Sequence, residues 1–191
     1  MSYAVLSTGS NVKKKRDEYD FNATPVDVIE CLIEHYHDAA NLDCNHIHEP
    51  CCGDGAISEF LIDRDFNVTS TDLVYRGYGI PSIDYLTLDP CDVPALVGVP
   101  VITNPPFVLW DEFVRKALED FQAPFVAMFA KMQIWNAQKR MKLYRDHPPK
   151  AIHPLTFRPD FSGQGRPTMD CCWCVWGDDV PFSNEPLERV K

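Results

Sequence analysis

The chain has 191 residues, 45% of them hydrophobic and 24% charged. That length fits one domain, and the composition excludes a disordered, collagenous or coiled-coil protein. No apolar run approaches the ~18 residues of a membrane span, and the first twenty residues hold too short an apolar stretch for a secretion signal, so the expected location is the cytoplasm. Eighteen basic against 28 acidic residues give a net charge of −10, which excludes a protein that coats nucleic acid by its overall charge.

Residues 1–20 read as a polar arm carrying the basic run Lys13-Lys14-Lys15-Arg16. Thr24-Pro25-x-Asp27 opens a helix, with Thr24 as its cap and Pro25 in its first turn. Val28, Ile29, Leu32, Ile33 and Tyr36 form its apolar face. A short strand over 45–49 runs into Pro50-Cys51-Cys52-Gly53-Asp54-Gly55 and a second helix with Ile57, Phe60 and Leu61 apolar. A strand over 66–71 ends in Asp72, and another over 99–103 ends in Asn104-Pro105-Pro106-Phe107. A helix over 110–121 and a buried strand over 125–129 follow. Residues 134–145 read as one basic helix, broken by Pro148-Pro149, with further strands near 151–157 and 171–176. Strands alternating with helices at this pitch predict an α/β fold, a doubly wound and mostly parallel sheet in a single catalytic domain over 21–191.

From Lys131 to Arg166 the chain carries eight basic residues against Asp146 and Asp160, a local charge of +6 that leaves −16 elsewhere. Such asymmetry points to one face built for an anionic partner, because phosphate contacts depend on local charge. Trp135, Tyr144, Phe157 and Phe161 interleave with these cations, a mix suited both to stacking on bases and to core packing. The eight cysteines include two adjacent pairs and no two CxxC knuckles; reduced thiols acting as small buried hydrophobes are the expected state, and no metal is expected. Cys44, His46 and His48 alternate on one strand, where packed histidines are the expected reading over metal ligands.

In an open α/β sheet a ligand sits beyond the carboxyl ends of the strands, and three such ends here carry distinctive residues. Gly53 and Gly55 allow a tight turn and close approach of backbone to ligand. Asp72, nineteen residues after Gly53, ends the next strand with a carboxylate able to accept both hydroxyl protons of a ribose. The absence of a full GxGxxG or GxxxxGK[ST] argues against a dinucleotide or a phosphate cradle. Asn104-Pro105-Pro106-Phe107 supplies what the exocyclic amine of a base needs to react. Two acceptors, the Asn104 side-chain oxygen and the Pro105 carbonyl, hold the amine hydrogens and draw its delocalised lone pair toward tetrahedral geometry. Pro106 stiffens the loop, and Phe107 offers a face for a base taken out of its stack.

These motifs, with Thr71-Asp72-Leu73, resemble in type and order those of S-adenosylmethionine-dependent DNA adenine-N6 methyltransferases, and are similar in flavour to small phage-encoded members. The resemblance implies a Rossmann-like fold, S-adenosyl-L-methionine as cofactor and DNA as partner. It assigns Thr24, Pro25, Glu49, Cys51, Gly53, Asp72, Leu73 and Asn104 to the cofactor. Asp84, with Asp89 as rival, is the acid expected at the cofactor's adenine amine. Asn104, Pro105, Pro106 and Phe107 become the catalytic set. Lys139, Arg140, Arg145, Arg158 and Arg166 are the expected nucleic-acid contacts. No separate target-recognition domain is visible. The Asn-Pro-Pro-aromatic element is shared with enzymes acting on RNA or on a protein glutamine, and a non-catalytic nucleic-acid-binding module of the same fold is the alternative from another class.

Overall fold

The computed structural model describes residues 21–36 and 46–190; the basic run at 13–16, Cys44 and residue 45 of the first predicted strand lie outside them. Six strands form one sheet: β1 His46–Glu49, β2 Asn67–Ser70, β3 Val101–Thr103, β4 Phe125–Lys131, β5 Ala151–Pro154 and β6 Cys171–Gly177, in the spatial order β2-β1-β3-β4-β6-β5. β2, β1, β3 and β4 pair in parallel, while β6 lies antiparallel to both β4 and β5. The sheet reverses direction of growth between β1 and β3, which opens a crevice at their carboxyl ends.

Helices cover both faces, so the central strands alternate between two cores rather than between core and solvent. Along β4, Phe125, Ala127 and Phe129 join the core under α1 (Val26–Tyr36) and α2 (Ala56–Ile62). Val126, Met128 and Ala130 join the opposite core, under α3 (Trp110–Arg115) and the π-helical turn Lys116–Asp120 that continues it. β6 repeats the pattern, with Trp173 on the first side and Cys172, Cys174 and Trp176 on the second. The indole of Trp173 donates to the Val28 carbonyl at 2.9 Å, pinning α1 to the sheet. Tyr36 donates to His153 Nε2 at 2.7 Å, and His153 Nδ1 donates to the Glu185 carbonyl at 2.7 Å, so one buried imidazole joins α1, β5 and the C-terminal segment.

Two expected features differ. Residues 134–145 are not one helix but two 3₁₀ turns, Met132–Asn136 and Gln138–Arg140, followed by the six-residue α4, Met141–Asp146. A break at Ala137, whose ψ is 104°, separates the turns, and Arg140 is drawn inward by partners discussed below. The Thr24 hydroxyl, expected to cap α1, accepts instead from Asn104, and the first turn of α1 closes through Val28 N–H to the Pro25 carbonyl at 3.0 Å.

Candidate active site

A cleft of 720 Å³ opens at the carboxyl ends of β1, β2, β3 and β4. Its floor begins where β1 runs into the turn at residues 50–55. Gly53 has φ +58° and Gly55 has φ +95°, and a Cβ on either would strike the ring of Phe21 or Tyr78; only glycine adopts this turn under such close cover. The turn is tied to the next strand end: Gly53 N–H donates to Asp72 Oδ2 at 2.8 Å, while Val74 N–H donates to Asp72 Oδ1 at 2.8 Å. Each carboxylate oxygen keeps a further acceptor site, since an ionised carboxylate has about four.

Glu49 is buried at the end of β1 beside this turn. Ser58 donates to its carboxyl, and Ser58 is itself 2.6 Å from the Ser70 hydroxyl. Burial, opposed by the Ser58 hydrogen bonds and reinforced by the charges of Asp72 and Asp54, lifts Glu49 to about 8. At neutral pH the site therefore holds a protonated acid that a nearby cation would ionise. Cys51 Sγ lies 3.0 Å from Thr103 Oγ1, and burial keeps its thiol protonated.

Asn104 follows β3 directly. Its Nδ2 donates to Thr24 Oγ1 at 3.0 Å and to the Asn22 carbonyl at 3.4 Å. A backbone carbonyl can only accept, so the nitrogen end of the amide faces Asn22 and Thr24, leaving Oδ1 as the acceptor for a ligand. The following loop is held from behind by Arg140, which donates to the Phe107 carbonyl at 3.1 Å and to Asp111 Oδ1 at 2.6 Å. The Lys131 ammonium, at the end of β4, sits 4.6 Å from the centroid of the Phe107 ring, over one of its faces.

The cleft gathers Thr24, Glu49, Cys51, Gly53, Asp72, Leu73, Asp84, Asn104, Pro105, Pro106 and Phe107 among its lining. Asp84 lines it, with Oδ1 accepting from Leu86 N–H at 3.1 Å, whereas its rival Asp89 is exposed elsewhere and accepts from Cys91 N–H. Pro25 directly precedes α1 and is not in the lining. Of the five expected nucleic-acid contacts, Lys139 is exposed at the cleft and Arg145 and Arg166 are exposed away from it. Arg158 is paired with Asp170 at 2.7 Å. Arg140 is buried, its guanidinium turned to Asp111 and Phe107 rather than to solvent. The interleaved aromatics are packing elements: Trp135 stacks on Tyr144 at 4.7 Å, Phe161 meets Phe129 at 6.2 Å, and Arg189 covers Phe157.

Sequence reasoning did not nominate Phe21, Asn22, Tyr85 and Lys131, which also line the cleft. Lys131 could have been found, because it ends the strand next to β3 and strand ends share one edge of a parallel sheet. Phe21 and Asn22 carry no such signal. His48 bonds Thr71 at 3.1 Å and burial lowers its pKa to about 4, while His46 bonds Thr69 at 2.8 Å. Among the described residues no group of three His, Cys, Asp or Glu side chains could hold a metal ion, and no helix is long and apolar enough to cross a membrane.

No protein-family model and no curated protein matches the chain. Solved structures do. A candidate RNA methyltransferase from Pyrococcus horikoshii superposes with a TM-score of 0.61 at 15% identity, over 83% of this chain and 87% of that one. A candidate hemolysin from Streptococcus thermophilus gives 0.59 at 9% identity, over 90% and 71%. A candidate class I S-adenosylmethionine-dependent methyltransferase from Listeria monocytogenes gives 0.57 at 14% identity, over 88% and 66%.

Proposed function

We infer that the chain's Rossmann-like α/β fold, shared with class I methyltransferases, serves methyl transfer. From that fold and the chemistry of its cleft, we propose that the protein binds S-adenosyl-L-methionine and methylates the exocyclic N6 amine of adenine in DNA. The observation that carries the proposal is the convergence on one cleft of the 49–55 turn, Asp72, Asp84 and Asn104-Pro105-Pro106-Phe107, three strand ends remote in sequence.

The residues present suit this cofactor. Gly53 lines the cleft and its N–H ties the turn to Asp72, which offers acceptors to ribose hydroxyls beside it. Asp84 accepts from an adenine amine, with Leu73 and Pro106 supplying apolar walls. Glu49, neutral when the cleft holds no cation, is the acid that a ligand with amino and sulfonium charges would ionise. Bound there, the cofactor would supply an electrophilic methyl group on a sulfonium, with a neutral thioether as the leaving group.

The chain's own part is orientation. Asn104 Oδ1 and the Pro105 carbonyl accept hydrogen bonds from the two amine hydrogens of the target base, turning its lone pair outward, and the proton shed after methylation passes to water. Phe107 carries the base on its ring, worth ~1–3 kcal/mol of stacking. Arg140 and Asp111 hold the loop so that these acceptors do not drift, since holding reactants in a reactive geometry supplies most of the acceleration in such a transfer. Lys139 at the cleft, with Arg145 and Arg166 exposed away from it and Arg158 paired with Asp170, draws phosphates in against the acidic remainder of the chain.

The basic stretch favours a nucleic acid over a protein substrate, and the resemblance of the motifs to DNA adenine-N6 methyltransferases makes DNA the first reading. RNA is the second reading, because the candidate RNA methyltransferase from Pyrococcus horikoshii has this fold. Transfer of a labelled methyl group to unmethylated double-stranded DNA, followed by nucleoside mass spectrometry, tests the proposal. N6-methyladenine lost in Asn104→Ala is the expected result. Label entering only RNA or protein would replace the substrate, and no transfer with the cofactor bound would leave a binding module.

A further inference from the structure

We propose that Thr24 is a positioning residue that, with the Asn22 carbonyl, holds the amide of Asn104 so that Oδ1 meets the target amine. The proposal rests on the reading of Asn104 as an amine acceptor. An asparagine amide has two ends of nearly equal shape and opposite chemistry. With the nitrogen end toward the amine, donor would face donor and the amine would lose one of its two acceptors. Nothing within the Asn-Pro-Pro-Phe sequence selects the end. The selection comes from a segment some 80 residues earlier, where the Asn22 carbonyl faces Nδ2 and Thr24 Oγ1, a hydroxyl that could serve either end of the amide, accepts from the same nitrogen at 3.0 Å and fixes its place. The Asn22 carbonyl adds a second acceptor at 3.4 Å, and as it has no hydrogen to donate it rejects the reversed amide.

Thr24 suits this task because it cannot wander. It is 8% exposed, it is followed by Pro25, and it stands at the mouth of α1, which is anchored by Trp173 on the Val28 carbonyl. Accepting from Asn104 leaves the hydroxyl's own hydrogen for a different partner, and Thr24 lines the cleft.

The experiment compares Thr24→Val, Thr24→Ser and Asn104→Ala in the full chain. It measures kcat with both substrates saturating, cofactor Kd by calorimetry without nucleic acid, and hydrogen exchange of the Asn104 side-chain amide by NMR. Thr24→Val should lower kcat about tenfold, the worth of one hydrogen bond, with cofactor Kd changed less than about threefold. Thr24→Ser should restore most of kcat. In the wild-type protein the Asn104 amide hydrogens should exchange several-fold more slowly than a free amide. Unchanged kcat in Thr24→Val, or a loss found wholly in cofactor affinity, would overturn the proposal. So would free-amide exchange in the wild type, which needs no variant to fold. Asn104→Ala with undiminished transfer would instead sink the reading beneath it, and that outcome is distinct from an inert Thr24→Val beside a dead Asn104→Ala.

Discussion

Arg140 Nη2 donates to the backbone carbonyl of Phe107 at 3.1 Å while its Nε pairs with Asp111 at 2.6 Å. One cation of the basic stretch is thus turned inward to brace the loop that carries the proposed amine acceptors. Its neighbour Lys139 remains exposed at the cleft, so adjacent residues of like charge do different work.

Arg140→Met should therefore behave as a loop and stability variant. Removing one partner of a largely buried pair leaves Asp111 uncompensated, at a cost of roughly 3 kcal/mol. Urea denaturation should show that loss, and kcat should fall more than the affinity for nucleic acid. A variant that weakened only nucleic-acid binding would return Arg140 to the phosphate contacts.

Lys139→Ala and Arg145→Ala should act on affinity alone. Each phosphate contact removed should lower the slope of log K against log salt by about 0.9. Titrating DNA binding across salt concentrations checks this, with melting temperature unchanged. Arg158→Ala should have a smaller effect, because Asp170 already neutralises that guanidinium.

Glu49 predicts a pH dependence of binding. Its carboxyl, lifted from 4.5 to about 8, is protonated at pH 7 in the free protein. A cationic ligand lowers it again, so S-adenosylmethionine binding at pH 7 should release up to one proton. Calorimetry in buffers of different ionisation enthalpy measures that number, and Glu49→Gln should abolish it.

The same group predicts a pH dependence of stability, opposite in sign to that of His48. Between 4.5 and about 8 the folded chain binds the Glu49 proton more tightly than the unfolded chain, so this contribution to stability falls as pH rises through that window. His48 is lowered from 6.5 to about 4 by burial, so the unfolded chain takes up its proton first and stability falls as pH drops through that range. Each amounts to a few kcal/mol by order of magnitude. Glu49→Gln should remove the fall in stability between pH 6.5 and about 8 and, where the two windows overlap between 4.5 and 6.5, unmask the opposite slope of His48.

Much of the fold was legible because the signals are local. Val28, Ile29, Leu32, Ile33 and Tyr36 recur at helical spacing and all five are buried on α1. β4 reads as a continuous apolar run because helices cover both its faces. The segment 134–145 misled for a related reason: its cations look like one solvated helical face until Arg140 is seen to be held by Asp111, 29 residues away.

The sequence by itself determined the strand-end residues of the cleft, because in a parallel sheet each strand delivers its last residues to one edge. Glu49, Gly53, Asp72 and Asn104 needed only that rule to be brought together. Tertiary structure alone placed Asp84 and not Asp89 in the lining of the cleft, although both follow the same turn. It alone gave Asn104 its partners as well. Hydrogen bonding across 80 residues depends on where two chain segments cross in space, and no local pattern of residues records that crossing.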